Sequence, residues 1–103
     1  MTNHEHHIEL YDWCRDHPEL DEVYWPGWEA VKTEHPVAYR NASFACEEAD
    51  KISLGTCIRC PIDWKKYNCC DEGSLYREWL AEIDQQIRSE LAAQIRDLPW
   101  RMR

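Results

Sequence analysis

The stretch from Cys46 to Cys70 constrains this chain most, because closely spaced cysteines admit few outcomes: a shared metal ion, disulfides, or thiols packed as small hydrophobes. Thiols stand at Cys46, Cys57, Cys60, Cys69 and Cys70, leaving Cys14 as the only other one. Cys57-Ile58-Arg59-Cys60 is a Cys-x-x-Cys turn, which lets two thiolates from one tight loop reach the same tetrahedral Zn²⁺. Cys46 together with Cys69 or Cys70 completes a set of four. A closed all-sulfur shell has no position for water or substrate, so the expected Zn²⁺ is structural. Disulfides suit an exported chain, and the N-terminus, with Glu5 and with His4, His6 and His7, lacks a basic region followed by an apolar one. A redox Cys-x-x-Cys pair usually sits in a βαβ context, which the flanking residues do not supply.

At 103 residues the chain has the length of one domain, with a core small enough for a metal staple to matter. Acidic residues outnumber basic ones by 20 to 12, for a formal charge of −8. Nucleic acid is thus a poor default partner, since phosphate binding depends on concentrated Lys and Arg, whereas basic protein surfaces suit the charge. No apolar run has the length to cross a bilayer, and a cytoplasmic location is expected. Six Trp imply that large rings fill much of the core.

The spacing predicts a first helix over about residues 4–16, capped by Thr2 or Asn3, with Glu5 in its first turn and His17-Pro18 at its end. His4 and His7 lie one turn apart on it and could hold a metal with a third group, against the plainer reading of a solvated first turn. Cys14 reads as a packed core residue. A Trp/Pro-rich connection, 18–43, carries Trp25-Pro26-Gly27-Trp28, a turn flanked by two rings. Trp25 and Trp28 are the candidate partner-binding residues, with core and interface roles both open. The segment from Glu29 to Glu34 suits a short helical piece, and Val37 to Ser43 reads as irregular or extended after His35-Pro36. In the zinc region, 44–72, a helical turn from Ser43 precedes a short strand over Ile52 to Thr56, with Trp64 and Tyr67 beside the thiols.

The C-terminal region, 74–98, is the most legible. Ser74 caps a pattern in which Tyr76, Trp79, Leu80, Ile83, Ile87, Leu91, Ile95 and Leu98 recur every three or four residues, and Asp84 and Arg88 are spaced for an i,i+4 pair. An unbroken helix would span about 35 Å, comparable to the whole domain, so the pattern must bend, break near Ala81 to Gln85, or project. The expected fold is therefore mainly α: a small single domain with N- and C-terminal helices around a central four-cysteine zinc knuckle and little β-structure.

Several of these motifs together resemble a group of small bacteriophage-encoded, Cys-rich proteins. The resemblance lies in Phe44-Ala45-Cys46-Glu47, Cys57-Ile58-Arg59-Cys60-Pro61-Ile62-Asp63-Trp64, Cys69, Tyr76 with Trp79, and Leu91-Ala92 leading to Ile95-Arg96-Asp97-Leu98-Pro99-Trp100. Trp13, His17-Pro18 and Trp25-Pro26-Gly27-Trp28 are similar too, so it covers most of the chain. It implies a phage origin and a host-cytosol setting without implying an activity. In that pattern a Cys-Phe-Ala-Cys pair often comes first, and here Ser43 replaces its first thiol. The thiols that match are then Cys46, Cys57, Cys60 and Cys69, with Cys70 the spare.

No Ser-His-Asp or Walker-type spacing and no His-Glu-x-x-His helix is present, and three Gly leave little for a phosphate-cradling loop. The expected function is that of a non-enzymatic accessory protein that binds and modulates a host or viral protein, inhibition of a host defence factor included. Monomer and homodimer remain alternatives. The competing function is nucleotide or nucleic-acid binding, with Arg59, Lys65 and Lys66 forming a basic edge beside Trp64 and Tyr67. A hydrolase built on His4, His7 and a carboxylate ranks third.

Overall fold

The chain starts its first helix with its own cap. In the computed structural model, which describes residues 1–50, 60–64 and 73–100, the Thr2 hydroxyl accepts from the Glu5 amide at 3.1 Å. The Glu5 carboxylate in turn accepts from the Thr2 amide at 2.8 Å, a reciprocal capping box. Helix α1 then runs Asn3–Asp16, followed by a 3₁₀ turn, Glu22–Tyr24. Three short helices come next: α2 (Trp28–Val31), α3 (Pro36–Asn41) and α4 (Phe44–Asp50). The C-terminal pair is α5 (Leu75–Ala81) and α6 (Gln85–Arg96).

Helix α3 departs from the irregular segment expected over Val37 to Ser43. Pro36 occupies the first turn of the helix, where its missing N–H is no loss and its fixed φ is already helical. It opens a helix there, where a breaker was expected. Ala42 then stops α3 in the left-handed region, at φ 54, and the Ser43 hydroxyl accepts from the Cys46 amide at 3.2 Å to start α4. Ser43 is thus a helix cap.

Of the bend, break or projection open to it, the C-terminal pattern breaks, with α5 ending at Ala81 and α6 starting at Gln85. Asp84 caps α6 by accepting from the Ile87 amide at 3.0 Å, and the intervening Ile83 is left 93% exposed. Asp84 is committed to that cap, so the expected pair with Arg88 does not form. Arg88 instead is buried, donating to the carbonyls of Trp79 at 3.0 Å, Pro18 at 2.8 Å and Leu20 at 2.8 Å. It also pairs with Asp21, and its guanidinium lies 4.5 Å from the Trp79 ring centre. One side chain thereby ties α5, α6 and the loop after α1 together.

Helix α1 packs chiefly on α6 and next on α4, while α3 packs on α4 and α5 on α6. The core comprises Leu10 and Cys14 of α1, Trp28 and Val31 of α2, Phe44 of α4, Trp79 of α5, and Ala92 and Ile95 of α6, among others. Ala92 is fully buried, and its small side chain suits the close approach of α1 and α6. Asp12 and Arg96 pair across the same two helices at 2.6 Å. A smaller cluster of Ala45, Ile62 and Leu98 lies beside an isolated antiparallel bridge between Ile62 and Trp100.

The fold is a small, mainly α domain with little β-structure among the described residues. Its expected organisation around a central zinc knuckle of four cysteines is corrected: the described helices close on a core of aromatic and aliphatic side chains, and among the described residues no metal-holding cluster exists. The strand expected over Ile52 to Thr56 lies outside the described residues.

Candidate functional site

Of the four expected zinc ligands, Cys46 sits on α4 and Cys60 precedes Pro61, both half-buried. Cys57 and Cys69, with the alternative Cys70, lie outside the described residues, as do Arg59, Lys65, Lys66 and Tyr67. Cys46 and Cys60 line one cavity of about 160 Å³, together with His7, Tyr11, Trp64 and Tyr76. Among the described residues no group of three or more His, Cys, Asp and Glu side chains is placed to hold a metal ion. This corrects the expected Zn²⁺ cofactor.

The N-terminal histidines serve packing. His7 is buried and its Nε2–H donates to the Ile95 carbonyl at 3.2 Å, joining α1 to α6. Burial disfavours its charged form and lowers its pKa to about 4, so at neutral pH it is an uncharged ring. His4 stacks on Trp100, ring centres 4.6 Å apart. His6 stacks on Phe44 at 5.0 Å and meets His35 edge-on at 5.0 Å, and His35 Nδ1 pairs with the buried Glu47 carboxylate. His6 is held below the ordinary histidine range, first by desolvation and then by His35. These contacts, with the Asn3 amide donating to Glu48 at 3.0 Å, dock α4 against α1. Cys14 is a core thiol, as its isolation in sequence suggests, and burial pushes its pKa up to about 12.

The Trp25 to Trp28 turn divides into a buried ring and a half-buried one. Trp28 is only 5% exposed, stacks on Phe44 at 5.0 Å and donates its Nε1–H to the Glu22 carbonyl at 2.8 Å. It is a packing residue. Trp25 is half-buried and stands nearly perpendicular to Trp28, at 87° and 5.2 Å. Gly27 allows this, because a Cβ there would collide with the Trp25 indole. Trp25, Val23, Pro26 and Tyr39 line a groove of about 390 Å³, flanked by Glu29 and Arg40. Its apolar lining residues Val23 and Tyr39 are 58% and 48% exposed.

Tyr39 escaped the sequence reading because its segment reads as irregular. The signal for it is local: once Pro36 starts a helix, buried Ala38 fixes the inner face and turns Tyr39 and Arg40 outward.

Comparison with known protein families, with curated proteins and with solved structures finds no match. The resemblance to phage-encoded zinc proteins is corrected with the cofactor: the metal-holding cluster it implies is missing among the described residues, and no match points to a phage family. Among the described residues no helix is long and apolar enough to cross a membrane.

Proposed function

We propose that this chain is a protein-binding module, without turnover of its own, that receives a basic, partly apolar segment of a partner on the Trp25–Tyr39 groove. The observation that carries this reading is the pair of exposed apolar side chains, Val23 and Tyr39, beside a half-buried ring packed edge-on against a buried tryptophan. Aromatic side chains of this kind supply large contact area at small entropic cost, which is why they dominate interface energetics. Surface clusters of large apolar groups are otherwise disfavoured on a monomer. The formal charge of −8 supports a basic partner, because complementary charge accelerates encounter while buried rings hold the complex together.

The test uses wild type and a Val23→Ser/Tyr39→Ala double variant, each immobilised and exposed to the same cell lysate. Both residues are exposed, so the variant should keep its fold and its helical circular dichroism. The expected result is a partner retained by wild type and lost by the variant, with an association rate that falls as salt rises. Equal retention by both proteins, or retention of a nucleotide in place of a protein, overturns the reading.

A further inference from the structure

One wall of the groove hangs on a buried acid. Glu22 begins the 3₁₀ turn that carries Val23, and it is only 5% exposed. Its carbonyl accepts from the Trp28 indole N–H at 2.8 Å and from the Trp25 amide at 3.2 Å. Its carboxyl Oε1 accepts from the Tyr76 hydroxyl at 2.8 Å. The turn is thereby tied to α2 through its backbone and to α5 through its side chain. Oε2 is buried and has no hydrogen-bond partner among the described residues.

We propose that Glu22 is a proton-operated latch on this groove: protonated, it keeps the wall of Val23 and Trp25 seated, and ionised, it pulls the 3₁₀ turn away from Tyr76 toward water. This rests on the groove being the partner site, and it makes partner binding tighten as the pH falls. The cost of ionisation supplies the force. A carboxylate offers about four acceptor positions and no donor, so sealing it from water with one oxygen unpaired is expensive. Local opening restores its hydration without unfolding the whole chain.

The groups facing Glu22 do not remove that cost. They are Cys14 of α1, Tyr76 of α5, Arg88 of α6 and the adjacent Asp21. The Cys14 thiol is neutral, its pKa pushed up to about 12. Arg88 is the one cation among them, and its hydrogen bonds go to three carbonyls and to Asp21. Asp21 adds charge of the same sign as Glu22. Burial is the largest influence and raises the Glu22 pKa from its ordinary 4.5, against the hydrogen bond from Tyr76. A hydrated carboxyl loses its proton near 4.5, and the seated one does so at higher pH. Seating therefore weakens as pH rises from the first value and levels off above the second.

Amide exchange followed by mass spectrometry tests the latch in wild type and in Glu22→Gln, which keeps the shape of the protonated acid and cannot ionise. For residues 21–25 the ratio of wild-type to variant exchange rates should rise several-fold from pH 4 to pH 7.5, while the ratio for α6 stays flat. A ratio for 21–25 that does not change with pH overturns the latch and leaves the groove reading standing. In wild type alone, the Glu22 carboxyl carbon and the Trp28 indole N–H, followed by NMR, should titrate together with a midpoint above 4.5. A midpoint at or below that value, or an indole signal that does not follow the carboxyl, also overturns the proposal. Equal capture at pH 5.5 and 7.5 of the partner that Val23→Ser/Tyr39→Ala loses overturns the control of binding.

Discussion

Lowering the pH should weaken this fold through His7, and the size of the effect follows from where the ring sits. His7 is buried between α1 and α6, with Nε2–H donated to the Ile95 carbonyl, and its pKa falls from 6.5 to about 4. The unfolded chain takes up a proton as pH drops below about 6.5, while the folded chain resists until about 4. Across that window the unfolded state binds more protons, so stability declines as pH falls, and the decline ends near the folded pKa. A shift of this size corresponds to about 3 kcal/mol, a large share of a small domain's stability. His6, also held low, acts in the same direction. Glu22, whose pKa burial raises, acts in the opposite one, because its folded carboxyl accepts a proton earlier than its unfolded form. Both remain in His7→Phe, which retains a ring against Tyr11 and Trp100 and loses the titration. Urea unfolding of the two proteins from pH 7.5 to 4 isolates the His7 contribution. The wild type should lose about 3 kcal/mol more than the variant across the range. Parallel pH profiles, or a native His7 titrating near 6.5 by NMR, would refute the reasoning.

Other perturbations test the remaining joints. Arg88→Leu strands three carbonyls that the guanidinium satisfies and should cost about 2–4 kcal/mol in chemical denaturation, whereas removal of the half-exposed Asp21 carboxylate should cost under about 1 kcal/mol. Gly27→Ala forces the Trp25 indole off its seat and should change the near-ultraviolet dichroism of the Trp25–Trp28 pair while costing about 1–3 kcal/mol. Ser43→Ala removes the α4 cap and should cost about 1 kcal/mol by thermal melting. Cys14 should resist alkylation in the native state, since its thiol is buried and its pKa is pushed up to about 12.

What the sequence discloses here is mostly local. Thr2 and Asn3 were both legible as the α1 cap and the structure uses Thr2 with Glu5, while Ser74 follows from the pattern and the Ala81–Gln85 break is one of the three outcomes that length left open. Arg88 was legible as a helix-face cation, but its partners Pro18, Leu20 and Asp21 sit about seventy positions away in the loop after α1, beyond any i,i+4 rule. Pro36 carries opposite meanings as breaker and as first helical residue, and only the packing of Ala38 beneath it decides between them. Trp25 and Trp28 look alike in sequence, yet Phe44 stacks on Trp28, which is buried, and meets Trp25, which stays half-buried, only edge-on. The cysteine spacing led furthest astray. Spacing shows which thiols could converge and carries no information about the aromatic side chains that share the wall with Cys46 and Cys60.

The central claim, that the Trp25–Tyr39 groove receives a partner, is tested most directly by photo-cross-linking. A benzophenone amino acid is placed at position 39, on the groove rim, and, in a separate protein, at position 87, an exposed apolar site on α6. Irradiation in the same lysate should yield one discrete cross-linked protein from position 39, suppressed by high salt, and none from position 87. A cross-link from position 87 alone, or none at position 39 when wild type captures a partner, would contradict the account.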